Sequence, residues 1–551
     1  MAVAYKTPGV YIVEKNAFPP SIVAVETAVP AFVGYTQIAD NMGQPLSGVP
    51  FKITSMSEFE THFGGPPPIV FKISPALTSP PQTSPTKDFT ANGVDYQLNQ
   101  KGPRFLLYYC MRHFFQNGGG ACYIVSVGGY GADPDYSTLT GGIDALKLEQ
   151  EPTMLVIPDA VLIKEEANCI TLQQDMLTHC GDTMRNRIAI LDIYDGYKGL
   201  QDPEPPVDNF RNALGVNNLS YGAAYYPWLN TTVVQDRELS YQNFLDPDDL
   251  AGSSSALVTV LTPATSDPTS VTWSKMSFTP VAVAGASPPA ASPPNASPPA
   301  SSKISIQQYL QSATPIDLSP ASPTPDQINQ INQANQVNQA LVATNATFNA
   351  IVQAALRKLN LLPPSAAMAG LYTFVDNNRG VWKAPANVSV NGVISPSVSI
   401  SNYDQQDLNV TPMGKSINAI RSFIGEGVLV WGARTLDGNS EDWRYVNVRR
   451  TLIFLEESCR LAAKRLVFEP NVSGTWLTVR SMIENFLTSV WRQGGLAGAV
   501  PEDAFSVHVG LGETMTAQDI LDGYMRITVL VAVSHPAEFI EITFQQQQQK
   551  S

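Results

Sequence analysis

The chain has 551 residues and a formal net charge of −14, with 48 Asp and Glu against 34 Lys and Arg. At about 150 residues per domain this length gives a prior of about four domains, and it is ample to bury a core. The acidic balance argues against general nucleic-acid binding, which needs a positive field, and against adhesion to anionic membranes.

In chain order, residues 1–35 alternate apolar and polar positions around prolines: Pro8-Gly9-Val10-Tyr11-Ile12-Val13-Glu14, then Ala31-Phe32-Val33-Gly34-Tyr35. The pattern predicts an extended arm followed by strands. A short strand over 51–54 leads into Ser55-Met56-Ser57-Glu58, a helix start with a capping-box glutamate, and Gly64-Gly65 should end that helix. Residues 66–100, rich in Pro, Ser and Thr, are expected to be a loop or a small insertion. A helix is predicted over 103–117, with strands over 122–127, 154–159 and 188–192. Short apolar strands alternating with helix-length segments argue for an α/β sheet domain over roughly 36–235.

Residues 245–365 differ sharply. Ala286-Ser287-Pro288-Pro289-Ala290 recurs as Ala291-Ser292-Pro293-Pro294-Asn295 and Ala296-Ser297-Pro298-Pro299-Ala300. Such a repeat favours polyproline II and builds no core. The run Ile328-Asn329-Gln330, Ile331-Asn332-Gln333, Ala334-Asn335-Gln336, Val337-Asn338-Gln339 follows, then helical apolar spacing from Leu341 to Leu362. This stretch is expected to be a surface insertion, partly disordered and partly helical. Beyond it, a helix is predicted over 416–423, a buried strand over 427–432 and long helices over 447–468 and 475–493. Strands are expected over 505–509, 526–533 and 538–544, the last with Ile540, Ile542 and Phe544 on one face.

The five cysteines, Cys110, Cys122, Cys169, Cys180 and Cys459, are an odd, sparse set and do not suggest a disulfide framework, so folding in a reducing cytosol is expected. Neither a signal peptide nor a membrane-spanning stretch is expected. Gly414-Lys415-Ser416 resembles the end of a phosphate-binding loop, but position 409 is Asn409 where a glycine is needed, and Pro412 removes an amide donor. Cys110, His113 and Cys122 fall short of a closed zinc set. His179 and Cys180 are adjacent and so do not face each other as base and nucleophile. No catalytic residue, metal ligand or cofactor is assigned.

Two features do stand out. A basic zone carries Arg444, Arg449, Arg450, Arg460, Lys464, Arg465, Arg480 and Arg492 within this acidic chain. On the 447–468 helix, Arg449, Arg460 and Lys464 are expected away from the apolar stripe, either as a solvated face with a Glu456–Arg460 pair or as a docking surface for an acidic partner. The two termini are both β-prone. Such arms either pair within their own chain or add strands to a neighbour's sheet.

Long ordered strings then resemble a known family. They are Trp431-Gly432-Ala433-Arg434-Thr435-Leu436, Trp443-Arg444-Tyr445-Val446-Asn447-Val448-Arg449-Arg450, Phe468-Glu469-Pro470-Asn471, and Phe486 through Gly494. Pro536-Ala537-Glu538-Phe539-Ile540, Tyr5-Lys6-Thr7-Pro8-Gly9-Val10-Tyr11 and Arg379-Gly380-Val381-Trp382-Lys383 fit the same pattern. The chain resembles the tail sheath family of contractile phages and phage-tail-like injection particles over roughly 1–65, 103–235 and 366–551. The resemblance implies a multidomain α/β (α+β) fold. Residues 1–35 would form an arm and part of an inner sheath domain, and 36–235 an outer α/β domain. Residues 236–365 would be a low-complexity surface insertion, 366–400 a return of the outer domain, and 401–551 the rest of the inner domain with its C-terminal arm.

The implied function is a structural subunit, not an enzyme. It would polymerise as stacked six-membered rings around an inner tube and contract on energy stored at assembly. The alternative is a nucleotide-binding motor centred on Gly414-Lys415-Ser416; a weaker one is an adhesin using the Pro/Ser repeat. Val10, Tyr11, Ile12, Val13, Phe539, Ile540, Ile542 and Phe544 are the implied strand arms. Arg449, Arg450, Arg460 and Lys464 are the candidate tube-docking basic face. Implied partners are further copies of the chain, an inner tube protein, and baseplate and cap proteins, with no nucleic acid and no membrane insertion. Assembly would take place in the bacterial cytoplasm. Sheaths of type VI secretion are built from two chains, so a single chain fits a phage tail or injection particle better, and the glutamine-rich end leans towards the latter.

Overall fold

The computed structural model describes residues 22–76, 87–246, 256–262, 277–278, 304–306, 309–310 and 324–542. Its centre is a nine-stranded sheet. The strand order is Val388–Ser389, Gly427–Val430, Asn418–Phe423, Gly222–Tyr226, Ile188–Asp192, Met154–Val156, Pro30–Tyr35, Cys122–Gly128, Phe51–Ile53. The six strands from Asn418–Phe423 to Cys122–Gly128 are parallel, and the outer ones are antiparallel. Parallel strands need cover on both faces, and the four central ones, Gly222–Tyr226, Ile188–Asp192, Met154–Val156 and Pro30–Tyr35, are buried along their whole length. Phe32 meets Phe114 of the helix Leu107–Gln116 at 5.0 Å on one face. On the other, a Cβ added at Gly142 of the helix Tyr136–Ala145 would overlap Val33.

The predicted strands at 122–127 and 188–192 and the capped helix Met56–Phe63 are present, with Ser55 accepting from the Glu58 amide. Three expectations are corrected. The segment at 416–423 is not a helix: Asn418–Phe423 is a strand beside Gly222–Tyr226, because Asn418, Ala419 and Ile420 are buried in the sheet. Pro30–Tyr35, expected as a strand after the arm, is one, but it lies within the central sheet between Met154–Val156 and Cys122–Gly128 rather than in a separate inner domain. The divisions expected at 35/36 and 400/401 therefore cut across one sheet.

The third correction concerns 66–100. It holds an antiparallel sheet of Val70–Pro75, Phe89–Ala91 and Val94–Lys101. Asn92 and Gly93 turn its hairpin with φ of 52° and 77°, the left-handed geometry that two-residue hairpin loops require. This sheet packs against the second insertion. Phe71 stacks on Phe244 at 6.0 Å, and Phe244 meets Phe348 edge-on at 6.1 Å. Asn92 Nδ2 donates to the carbonyl oxygens of Val260 and Thr262, and Arg357 donates to that of Asp88. The Ile-Asn-Gln run forms the helix Pro325–Thr344, which buries Ala334, Val337 and Leu341. The helix Ala346–Leu359 follows it. The Pro/Ser pentapeptides lie outside the described residues.

A second, smaller core lies at the C-terminal side. The helices Val446–Ala463 and Ser473–Arg492 bury Phe454, Leu455, Val479, Ile483, Phe486 and Val490 against the hairpin Phe505–His508/Thr528–Val531. Ile22 and Val25 pack on it from the other end of the chain.

Phe348 backs Phe244, the ring that stacks on Phe71 across the two insertions. Phe348→Ala is expected to cost about 3–5 kcal/mol locally. Limited proteolysis should then cut within 70–101 while amide protection of the Ile188–Asp192 strand is unchanged. Simultaneous loss of both would mean that the insertions are not a separate cooperative unit.

Candidate assembly interface

The first turns of the helix Val446–Ala463 are buried all round, from Val446 to Thr451. This decides where the basic residues point. Arg449, 5% exposed, lies 4.3 Å from the ring centres of both Tyr221 and Trp443, with Glu456 at 3.6 Å. Arg450, 4% exposed, donates to Asp376 at 2.9 and 2.6 Å and to the Thr27 carbonyl at 2.9 Å, over the ring of Tyr372. Both side chains face into the body, so the expectation that Arg449 lies away from the buried stripe is corrected. A cation in that position is held by aromatic faces and carboxylates. Only Arg460 and Lys464 of the four candidates are exposed. Arg460 pairs with Glu457 at 2.5 Å, not with Glu456. The exposed end of this helical pair continues through Phe468, which stands in solvent with a φ of 74°.

The hairpin Phe505–His508/Thr528–Val531 has two strands, and among the described residues no third strand of the fold joins it. A two-stranded ribbon is marginal alone and its open edge is a template for another chain. Beyond it the backbone is tied down step by step. Ala497 donates to the Ala532 carbonyl at 2.7 Å, and Asn447 Nδ2 donates to the Ser534 carbonyl at 3.1 Å.

Glu538 is the last anchor. Its carboxylate accepts from Arg434 Nη2 at 2.5 Å and Nε at 3.1 and 3.2 Å, from Asn409 Nδ2 at 2.7 Å and from the Tyr445 hydroxyl at 3.1 Å. Past it, Phe539, Ile540 and Ile542 are 76%, 79% and 70% exposed, with no strand partner among the described residues. The strand expected over 538–544 is thus an unpaired segment as far as residue 542. Phe544 and Val10, Tyr11, Ile12 and Val13 lie outside the described residues. The Glu538 anchor escapes a sequence reading because Arg434 lies 104 residues away, and only the carboxylate opening an apolar alternation hints at it.

The candidate chemistry is turned inward. Lys415 Nζ donates to the Arg211 carbonyl and Ser416 Oγ to that of Asn409, and a strand follows where a phosphate loop needs a helix. Cys110, Cys122, His113, His179 and Cys180 are all buried. Among the described residues no cluster of three His, Cys, Asp or Glu could hold a metal ion. Two carboxylates stand where parallel sheets bind ligands, near the strand ends. Both are occupied: Asp159 by the Tyr35 and Leu106 amides, Asp192 by the Ser365 amide and hydroxyl. Burial pushes their carboxyls up to about 6 and about 7. Among the described residues no helix is long and apolar enough to cross a membrane.

The site thus presents an open-edged ribbon, an anchored apolar tail and chemistry-bearing groups turned inward. Residues 439–547 match the family model described as the phage tail sheath C-terminal domain. The tail sheath protein of Vibrio phage KVP40 is 27% identical over 138 residues, 24% of this chain and 20% of that protein. That of Burkholderia phage BcepMu is 29% identical over 143 residues, 25% of this chain and 30% of that protein. The chain thus spans less than a third of the length of both relatives. Among solved structures, the contracted helical sheath of the anti-feeding prophage is 26% identical, with a TM-score of 0.55 over 99% of this chain and 100% of that one. The contracted sheath of the PVC extracellular contractile injection system shares the fold at 24% identity, with a TM-score of 0.53 over 99% of both chains. The chain is thus similar to contractile tail sheath proteins, through its C-terminal region in sequence and end to end in fold.

Glu538 carries a pH dependence. Burial raises its carboxyl pKa, but the bonds from Arg434 and Asn409 and the guanidinium charge outweigh burial and bring it below its ordinary 4.5. A depressed carboxylate contributes stability that is complete above the unfolded value and is lost as pH falls through the folded one. Urea unfolding from pH 6 downward should show wild type losing stability below about pH 4.5 by more than Glu538→Gln does. Equal slopes would mean that the anchor carries no such linkage.

Proposed function

We propose that this chain is the structural subunit of a contractile sheath, in a phage tail or a phage-tail-like injection particle. Copies stack as hexameric rings around an inner tube, and the sheath contracts on energy stored at assembly to drive the tube through a target envelope. The observation that carries this reading is the exposed apolar segment after Glu538, in a chain that also holds an open-edged two-stranded ribbon. Buried surface and satisfied backbone are what each lacks alone, and strand addition from a neighbouring copy supplies both. The end-to-end likeness to contracted sheaths supports the same reading.

In this account the C-terminal arm, with Phe539, Ile540, Ile542 and Phe544, and the N-terminal arm, with Val10, Tyr11, Ile12 and Val13, pair with hairpins of neighbouring copies. The terminal segments form the inner part of each subunit, and the two packed insertions face outward. Contraction is a rigid-body rearrangement between two packings with the arms as hinges. The inner tube is met by the exposed end of the helical pair, with Arg460 and Lys464 offered to an acidic partner. The arginines at 449 and 450 brace the subunit from within. Baseplate and cap proteins bind the ends of the polymer, and assembly takes place in the bacterial cytoplasm.

Deleting residues 538–551 should leave a folded chain that sediments as a monomer under conditions in which the full chain forms polymers. Normal polymers from the truncated chain would remove strand donation by this arm.

A further inference from the structure

The geometry points to Glu538 as a mechanical clamp that diverts the pull on the C-terminal arm away from the hairpin and into the central sheet. The inference rests on the sheath reading, in which the arm links one copy to the next.

Two routes lead inward from residue 539. One follows the backbone through residues 532–535 to the strand Thr528–Val531. Tension along it reaches the ribbon at one end and opens its bonds one at a time, starting from the pair of Phe505 with Val531. The other runs through the Glu538 carboxylate. Five contacts within 3.2 Å hold that carboxylate, three from Arg434, one from Asn409 and one from Tyr445. The Arg434 amide donates to Asn418 Oδ1 at 2.7 Å, and Asn418 Nδ2 donates back to the Arg434 carbonyl at 2.8 Å and to the Ala224 carbonyl at 3.1 Å. Two residues on, Leu436 donates to the Gly222 carbonyl at 2.8 Å. The second route therefore ends on the neighbouring strands Asn418–Phe423 and Gly222–Tyr226, where several bonds share the load at once.

The pieces are made to stay together. Arg434 is 4% exposed, and without Glu538 its guanidinium would be a buried cation left with the Asn409 carbonyl and the face of Tyr445. Truncating one partner of such a pair is costly because the other stays buried and uncompensated. The clamp also closes the bonded part of the described segment: Ala532 and Ser534 before it are bonded to the body, and Phe539, Ile540 and Ile542 after it are exposed. Glu538 is thus a positioning residue for the arm, and the hairpin is left free to receive a strand without bearing the pull of its own tail.

The test is to tether the full chain through an outer loop and pull on its C-terminus in optical tweezers. In wild type, the hairpin should open only once the Glu538 clamp has ruptured, at a force at least twofold higher than in Glu538→Gln. Glu541→Gln, three residues beyond the clamp, should match wild type. Equal hairpin-opening forces in wild type and Glu538→Gln would overturn the clamp. In assembled sheaths, Glu538→Gln should still polymerise but break into short stacks on acid- or urea-triggered contraction, with mean contracted length reduced severalfold. Contracted sheaths of wild-type length would overturn it as well. Failure of the wild-type chain to polymerise would instead count against the sheath reading, and the pulling result would stand apart from it.

Discussion

Arg450 holds the molecule together at the point where its two cores meet. Its guanidinium binds Asp376 on the helix Ser365–Arg379, reaches the Thr27 carbonyl of the N-terminal connector and lies over Tyr372, whose hydroxyl meets that of Tyr225 in the sheet. One side chain on the C-terminal helix thus ties the N-terminal segment, the sheet cover and the sheet itself. A pair this buried is weak evidence of net stability, yet breaking it by removing one partner costs about 3–5 kcal/mol. It fixes how the C-terminal unit sits on the sheet body, and the contraction proposed above requires that relation to persist.

With that junction fixed, the remaining freedom lies at the edges. Among the described residues the C-terminal unit ends in a ribbon without a third strand and an exposed apolar tail, while the polar chemistry of the interior is spent on bracing. Lys415, Asp159, Asp192, Arg449 and Arg450 all bond within the chain. The proposed sheath subunit needs this division between a saturated body and unsaturated margins.

Local signals were legible where local physics decides. The Ser55 cap, the apolar strands at 122–128 and 188–192 and the helix Ser473–Arg492 follow from capping, burial and periodicity. The Asn92-Gly93 hairpin was also readable, but the surrounding Pro and Ser content obscured it. Asn418–Phe423 escapes a sequence reading because its apolar spacing is short and its strand partner, Gly222–Tyr226, is distant in sequence. Arg449 escapes it because a single apolar stripe does not describe a helix whose first turns are enclosed on all sides. Glu538 was recognised as part of an arm but not as an anchor, since its partners Arg434, Asn409 and Tyr445 meet only in the fold. The family strings carried the overall assignment further than periodicity could.

The central claim is that the chain builds a sheath through its own margins. Negative-stain electron microscopy of the purified full chain, alone and co-expressed with an inner tube protein, tests it most directly. The account predicts hollow, transversely striated tubes, either from the chain alone or once the tube templates them. Monodisperse particles under both conditions would contradict it.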